Sequence, residues 1–300
     1  MIYTDFINTL NSLEIEYKQD YSLSLLTTMR VGGNCDIVCF PKNENEIKSI
    51  FNLLRKSKMH YYILGNGSNV IAEDKGYKGV IICTKKFSNK LYVNDTEIYT
   101  SAGVMLSPLC KFTAENALSG LEFAYGIPGT VGGALYMNAG AYGGQMGDIV
   151  KSVTCIDNNF NIITLNNSQL NYGYRQSIFM SNNYIILGAN FKLKKGNKSE
   201  ILAKMDSYME ARKSKQPLEY PSAGSFFKRP VGAFAGKLIE DCNLKGYKIG
   251  GAEISEKHAG FLINRNNATC EDIHNLAQYV RNTVQSKTGY TLEPEAIFLN

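Results

Sequence analysis

Three features of the 300-residue chain predict an α+β fold in three consecutive parts. The length exceeds what one ordinary hydrophobic core holds. The texture of the apolar residues changes twice, near residue 87 and near residue 199. Two glycine-rich passages, Gly65 to Asn69 and Gly126 to Gly147, fall one in each of the first two parts. The parts read as 1–86, 87–198 and 199–290, with the closing strand, 291–300, able to return to the first.

The first part has the order strand, helix, strand, strand. DIVCF ends at Pro41, Glu44 to Lys58 carries apolar residues at helical spacing, and the short runs YYIL and GVIICT follow. Strands dominate the second part (LYVN, EIYTSAG, SVTCID, IITL, YIILGANFKL), with a helix near Leu106 to Asn116 and the longer glycine passage between them. A polar connection, LKKGNKSE, opens the third part and leads into a helix reaching about Ser214. Phe234 to Cys242 then reads as a helix, and YKIGGAEIS and AGFLIN as strands. Thr269 is placed to cap a long helix that ends near Thr288, since an acidic residue follows it three positions on. The closing LEPEAIFL alternates like a strand.

Composition narrows the function. With 44% hydrophobic and 20% charged residues the chain buries a sizeable core. No window approaches the ~18 uninterrupted apolar residues of a membrane span. The opening MIYTDFINTLNSLEIEY lacks the basic start and apolar block of a secretory signal, which points to the cytoplasm. Seven scattered cysteines, several in apolar runs such as IVCF and VIICT, read as reduced, buried thiols. There is no CxxC, and His60, His258 and His274 do not cluster, so no metal site is expected. The net charge of +5 is dispersed, so no nucleic-acid surface is expected either. The densest basic run near a candidate site, Ala211-Arg-Lys-Ser-Lys-Gln-Pro, is either a solvated helix end or a clamp for phosphates and carboxylates.

In YYILGNGSNV the glycines follow a strand directly, which suits a tight turn or a phosphate cradle. The dinucleotide fingerprint fails there, because Val70 stands where its third glycine belongs. The passage GIPGTVGGALYMNAGAYGGQMG holds eight glycines, a density that implies close approach to something flat or anionic. Tyr136, Asn138 and Tyr142 are interleaved to stack and hydrogen-bond. One such passage in each of two adjacent parts suggests an extended ligand. The stretch from Gly232 to Leu238 is one residue short of a P-loop and lacks its Ser/Thr, which argues against triphosphate hydrolysis.

Taken in order, TTMRVGG, ILGNGSN and GIPGTVGGALYMNAGAYGG resemble the FAD-binding segments of the UDP-N-acetylenolpyruvoylglucosamine reductases, whose flavin region is of the vanillyl-alcohol-oxidase (PCMH) type. YRQSIF, PSAGSFFKRP, LKGYKIGGAEIS and LEPE extend the likeness into the family's C-terminal α+β substrate-binding domain, so that it covers about Thr27 to Glu295. The resemblance implies a flavoenzyme that reduces UDP-N-acetylglucosamine enolpyruvate to UDP-N-acetylmuramate in peptidoglycan precursor synthesis. FAD is held noncovalently, NADPH is the hydride source, and no obligate protein partner is implied. The implied FAD contacts are Arg30 in the first motif, and Leu64, Gly65, Asn66, Gly67, Ser68 and Asn69 in the second. In the third they are Gly126, Ile127, Pro128, Gly129 and Thr130, then Gly132, Gly133, Asn138, Gly140 and Ala141.

The family's catalytic arginine, serine and glutamate fall on Arg175 of YRQS, Ser225 after Ala-Gly, and Glu295 after the last proline. In the implied mechanism hydride reaches the enolpyruvyl methylene carbon, Arg175 and Glu295 stabilise the enolate, and Ser225 gives the proton. Tyr142, Arg212, Lys215, Lys228, Arg229 and His258 match substrate-side positions. Only 50 positions separate Arg175 from Ser225, which resembles the family's short form, without the inserted tyrosine loop. Two other readings keep the glycine passages: a sugar or alcohol oxidase of the same superfamily, and a nucleotide-sugar-binding module without catalysis. The first often holds flavin through His or Cys, which neither passage contains; the second needs no Arg175, Ser225 and Glu295 set.

Overall fold

A computed structural model describes residues 2–300. The chain divides into two units, each made of three stretches. One takes the residues up to Lys18, Ile37–Asn66 and Gly79–Glu210; the other takes Gln19–Asp36, Gly67–Lys78 and Ala211–Asn300. Each unit closes its own hydrophobic core, which is why the division falls where it does.

The larger unit is built on a five-stranded antiparallel sheet. Its order is Ile162–Asn166, Val150–Ile156, Ile185–Lys192, Glu97–Ser101, Leu91–Asn94. Ile185–Lys192 lies at the centre because IILGANF is apolar on both faces and nearly all of it is buried. Ile162–Asn166 and Leu91–Asn94 expose alternate or most residues and form the edges. Helix Glu44–Ser57 starts at Asn43, whose side chain accepts from Glu46 N–H, and it buries Ile47, Ile50, Phe51 and Leu54. The opening residues, Ile2–Ser12, also form a helix, and its Phe6 and Leu10, four apart, enter the same core. Strand Tyr61–Leu64 pairs in parallel with Val80–Cys83, which leaves Gly65 at the carboxyl end of a strand.

In the second unit Ser222–Ser225, Phe261–Asn264, Ala252–Ile254 and Lys248–Ile249 form an antiparallel sheet in that order. Helices Ala235–Asp241 and Cys270–Thr288 belong to the same unit and supply Ile239, Ile273, Leu276 and Val280 to its core. Thr269 caps the long helix reciprocally with Asp272, and Asp74 accepts from the Cys270 and Glu271 amides. The closing strand, Ile297–Leu299, runs parallel to Val70–Ala72. The three-residue strand Val70–Ala72 carries no readable period, and its partner lies at the other end of the chain. No helix among the described residues is long and apolar enough to cross a membrane.

Candidate active site

The first glycine passage is shared between the units, with Gly65 and Asn66 in one and Gly67 to Asn69 in the other. In the larger unit a Cβ on Gly65 would lie 2.5 Å from the Thr130 hydroxyl, so only glycine lets the two passages approach this closely. Asn66 Nδ2 donates to Pro128 O at 2.7 Å and fastens the same pair. Ile127 and Gly126 are half-buried beside the exposed Pro128. Leu64 offers only its main chain, because its side chain is in the core.

The longer passage contains a short helix, Val131–Tyr136, capped by Thr130. Sequence reasoning missed it because Gly132 and Gly133 each cost about 1 kcal/mol in a helix. Tertiary bonds offset that cost: Val131 N–H donates to Val104 O and Gly132 N–H to Ala102 O, both at 2.8 Å. With Gly133 N–H on the Thr130 hydroxyl, the first three amides of this helix are committed within the protein. Gly133 itself is exposed, and Gly129 is held by its carbonyl to Leu106 N–H.

Asn138, fully buried with φ +43°, donates to Gly173 O at 2.9 Å and Gln145 Oε1 at 3.2 Å, and accepts from Gly147 N–H at 2.8 Å. Gly140 and Ala141 form a two-residue strand against Gly144 and Gln145. Arg175 lies on the turn Gly173 to Gln176 with φ +52°, a left-handed conformation that costs an arginine of order 1 kcal/mol. Its Nη2 reaches Gly140 O at 3.5 Å, and its guanidinium lies 5.2 Å from the Tyr174 ring centre. Tyr142, also left-handed, stacks on Tyr208 at 4.2 Å and donates its hydroxyl to Tyr208 O.

The second unit gathers the remaining motifs. A bulge in Ser222–Ser225, made possible by Gly224 at φ +77°, aligns Ser225 with Phe261 and leaves Ser225 exposed. Phe226 N–H donates to Gly260 O at 2.9 Å, and Glu295 N–H donates to Phe226 O at 2.8 Å. Asn69 Nδ2 holds the Glu295 carbonyl at 3.1 Å. Ser225, Glu295, Asn69 and the His258 loop, far apart in sequence, therefore occupy one neighbourhood. Glu293 is exposed and pairs with Lys228, whereas Glu295 is half-buried. His258 Nδ1 accepts from Gly260 N–H, and burial holds its pKa below the ordinary histidine value. Arg212 is buried and donates to Gln216, while Lys215 is exposed one turn on. Exposed Arg229 lies over the Phe234 ring. Exposed Arg30, with φ +58°, follows Met29, whose carbonyl takes the buried Asn264 amide.

Each unit carries one feature that suits a flavin nucleotide. The Gly65 and Thr130 contact is one. The other is the Thr27 hydroxyl, buried without a partner beside Thr28, whose amide donates to Gly67 O. Among the described residues no cluster of His, Cys, Asp and Glu side chains could hold a metal.

Residues 35–166 match the model of an FAD binding domain, and 216–299 that of the C-terminal domain of UDP-N-acetylenolpyruvoylglucosamine reductase. The reductase of Clostridium novyi is 45% identical over 93% of this chain and 91% of its own. That of Caldanaerobacter subterraneus is 46% identical over 90% and 89%. The chain belongs to the UDP-N-acetylenolpyruvoylglucosamine reductase family. It is an FAD-dependent oxidoreductase with an α+β fold, a PCMH-type flavin domain joined to the family's C-terminal domain. The crystal structure of the Thermus caldophilus reductase superposes with a TM-score of 0.80 at 33% identity, over 95% of this chain and 99% of that one. Reductases of this family use NADPH.

Proposed function

We propose that this reductase converts UDP-N-acetylglucosamine enolpyruvate to UDP-N-acetylmuramate for peptidoglycan synthesis in the cytoplasm, with Arg175, Ser225 and Glu295 as its catalytic residues. The observation that carries the assignment is the backbone junction of Phe226 with Glu295 and Gly260, which brings two motifs of the substrate half, PSAGSFFKRP and LEPE, together beside Ser225.

Bound FAD would supply a hydride relay between NADPH and the methylene carbon of the enolpyruvyl ether. The residues proposed to hold it are the main chains of Gly65 to Asn69, with Thr130, Gly133, Gly140 and Ala141 from the longer passage and Arg30 from the first motif. As hydride arrives, negative charge grows on the substrate carboxylate and the adjoining carbon. The Arg175 guanidinium, preset by its turn, meets that charge without reorganising. Glu295 meets the same enolate either protonated or strongly hydrogen-bonded, since a bare carboxylate there would repel it. Ser225, exposed at the end of the bulged strand, delivers the proton from its Oγ to the α carbon and is reprotonated by a neighbouring group or water. Arg212 and Lys215 serve the diphosphate and nicotinamide ends, and Tyr142, Lys228, Arg229 and His258 are the further substrate contacts.

Stopped-flow measurement of Ser225→Ala tests the reading. Flavin reduction by NADPH stays near wild type, and reoxidation by the enolpyruvyl sugar falls by about two orders of magnitude or more. Equal slowing of both half-reactions would show a structural serine instead.

A further inference from the structure

The structure assigns Asn138 a second kind of role: we infer that it is the positioning residue of Arg175, setting the turn from which the guanidinium is presented, and not a ligand of the flavin. The inference rests on the catalytic role proposed for Arg175.

Asn138 is fully buried, and each polar atom of its side chain has a protein partner. One N–H goes to Gly173 O, the first residue of the turn; the other goes to Gln145 Oε1, and the carbonyl takes Gly147 N–H. To bind flavin it would have to abandon one of these bonds inside the protein, at the cost of a buried polar group left unpaired. The turn itself is short. Gly173 and Gln176 exchange both backbone bonds at 3.2 Å, so the position of the Gly173 carbonyl fixes where the two intervening residues, Tyr174 and Arg175, project. A second strap lies just beyond, where the buried Ser177 hydroxyl donates to Tyr136 O at 2.6 Å. Arg175 then closes the circuit by reaching back to Gly140 O, two residues from Asn138. The left-handed φ of both Asn138 and Arg175 is a backbone cost that such over-determination sustains.

The test is a double-mutant cycle on the FAD-loaded enzyme, following flavin reoxidation by the enolpyruvyl sugar. Asn138→Gly tolerates the left-handed backbone and removes the amide. It slows reoxidation about ten- to a hundredfold, the range for a misplaced catalytic group, while flavin reduction by NADPH and the Kd for FAD stay at wild-type values. In the Arg175→Ala background the same change alters reoxidation by less than about twofold, because the residue it positions is gone. Asn167→Ala is the control: it removes two side-chain bonds, to Gly147 O and to Val150 O at the start of strand Val150–Ile156, without touching the turn, and it leaves reoxidation near wild type. If Asn138→Gly does not fold, Asn138→Asp keeps the size and the acceptor for Gly147 N–H, loses the donor to Gly173 O, and gives the same pattern. Additive effects with Arg175→Ala, a weakened Kd for FAD, or equal slowing by Asn167→Ala would each overturn the inference. Normal reoxidation by Arg175→Ala would overturn the catalytic reading itself, a result recognisable because it does not involve Asn138.

Discussion

Glu293 and Glu295 stand two positions apart, and strand alternation puts both on one face, so periodicity cannot choose between them. Their surroundings separate them. The Glu293 side chain is 70% exposed and its pairing with Lys228 is a surface ion pair, worth at most about 1 kcal/mol. Glu295 is half-buried, with its amide held by the carbonyl of Phe226, next to Ser225, and its carbonyl held by Asn69. In the substrate half-reaction Glu295→Gln is therefore expected to retain more activity than Glu295→Ala, and Glu293→Gln to be nearly silent. Greater damage from Glu293→Gln would move the catalytic carboxylate to that residue. His258 yields a pH prediction. Its lowered pKa means that the unfolded chain takes up the proton first as pH falls. The stability it contributes is complete above the ordinary value of 6.5 and is lost as pH drops through the folded value. Urea unfolding between about pH 7 and 5 should show a shallower loss of stability in His258→Gln than in wild type; identical slopes would assign the acid sensitivity elsewhere.

Among the elements, those with a strong period or a cap were legible in advance. Helix Cys270–Thr288 begins at the Thr269 and Asp272 box that its sequence spells out, and removing the hydroxyl in Thr269→Ala should cost about 1 kcal/mol in denaturant unfolding. A change within error would mean that Asp74, which caps the same end, is sufficient. The strand Val70–Ala72 and the helix Val131–Tyr136 were not legible. One takes its pairing from the far end of the chain, and the other takes its first-turn bonds from Ala102 and Val104. The Gly65 approach belongs to this scale too. Gly65→Ala should drive the first passage off Thr130 and weaken FAD at least about tenfold, ~1.4 kcal/mol. Fluorescence titration giving an unchanged Kd would dissociate that contact from flavin binding.

At the scale of the whole molecule, FAD acts as a ligand of the folded state. Saturable stabilisation is expected, of about 2.7 kcal/mol at a hundredfold excess over Kd, and acid precipitation should release all the flavin to the supernatant. Flavin remaining with the pellet would indicate a covalent link. The seven cysteines are all buried; burial pushes the Cys35, Cys110 and Cys270 thiols up to about 12 and Cys155 to about 11. An aromatic disulfide reagent should thus find almost no thiol in the native protein and seven after unfolding. The family, the strongly periodic elements and the order of the motifs could be read from the residues, because propensity, capping and glycine placement are local properties of the chain. The two-unit division could not. It depends on Gln19–Asp36 and Gly67–Lys78 contributing Met29, Val31 and Ile71 to a core otherwise built from residues after Ala211. The left-handed turn under Arg175, the bulge under Ser225 and the satisfied amide of Asn138 are equally hidden. Each is set by hydrogen bonds to residues distant in the chain, and no local pattern records a partner that only folding brings near.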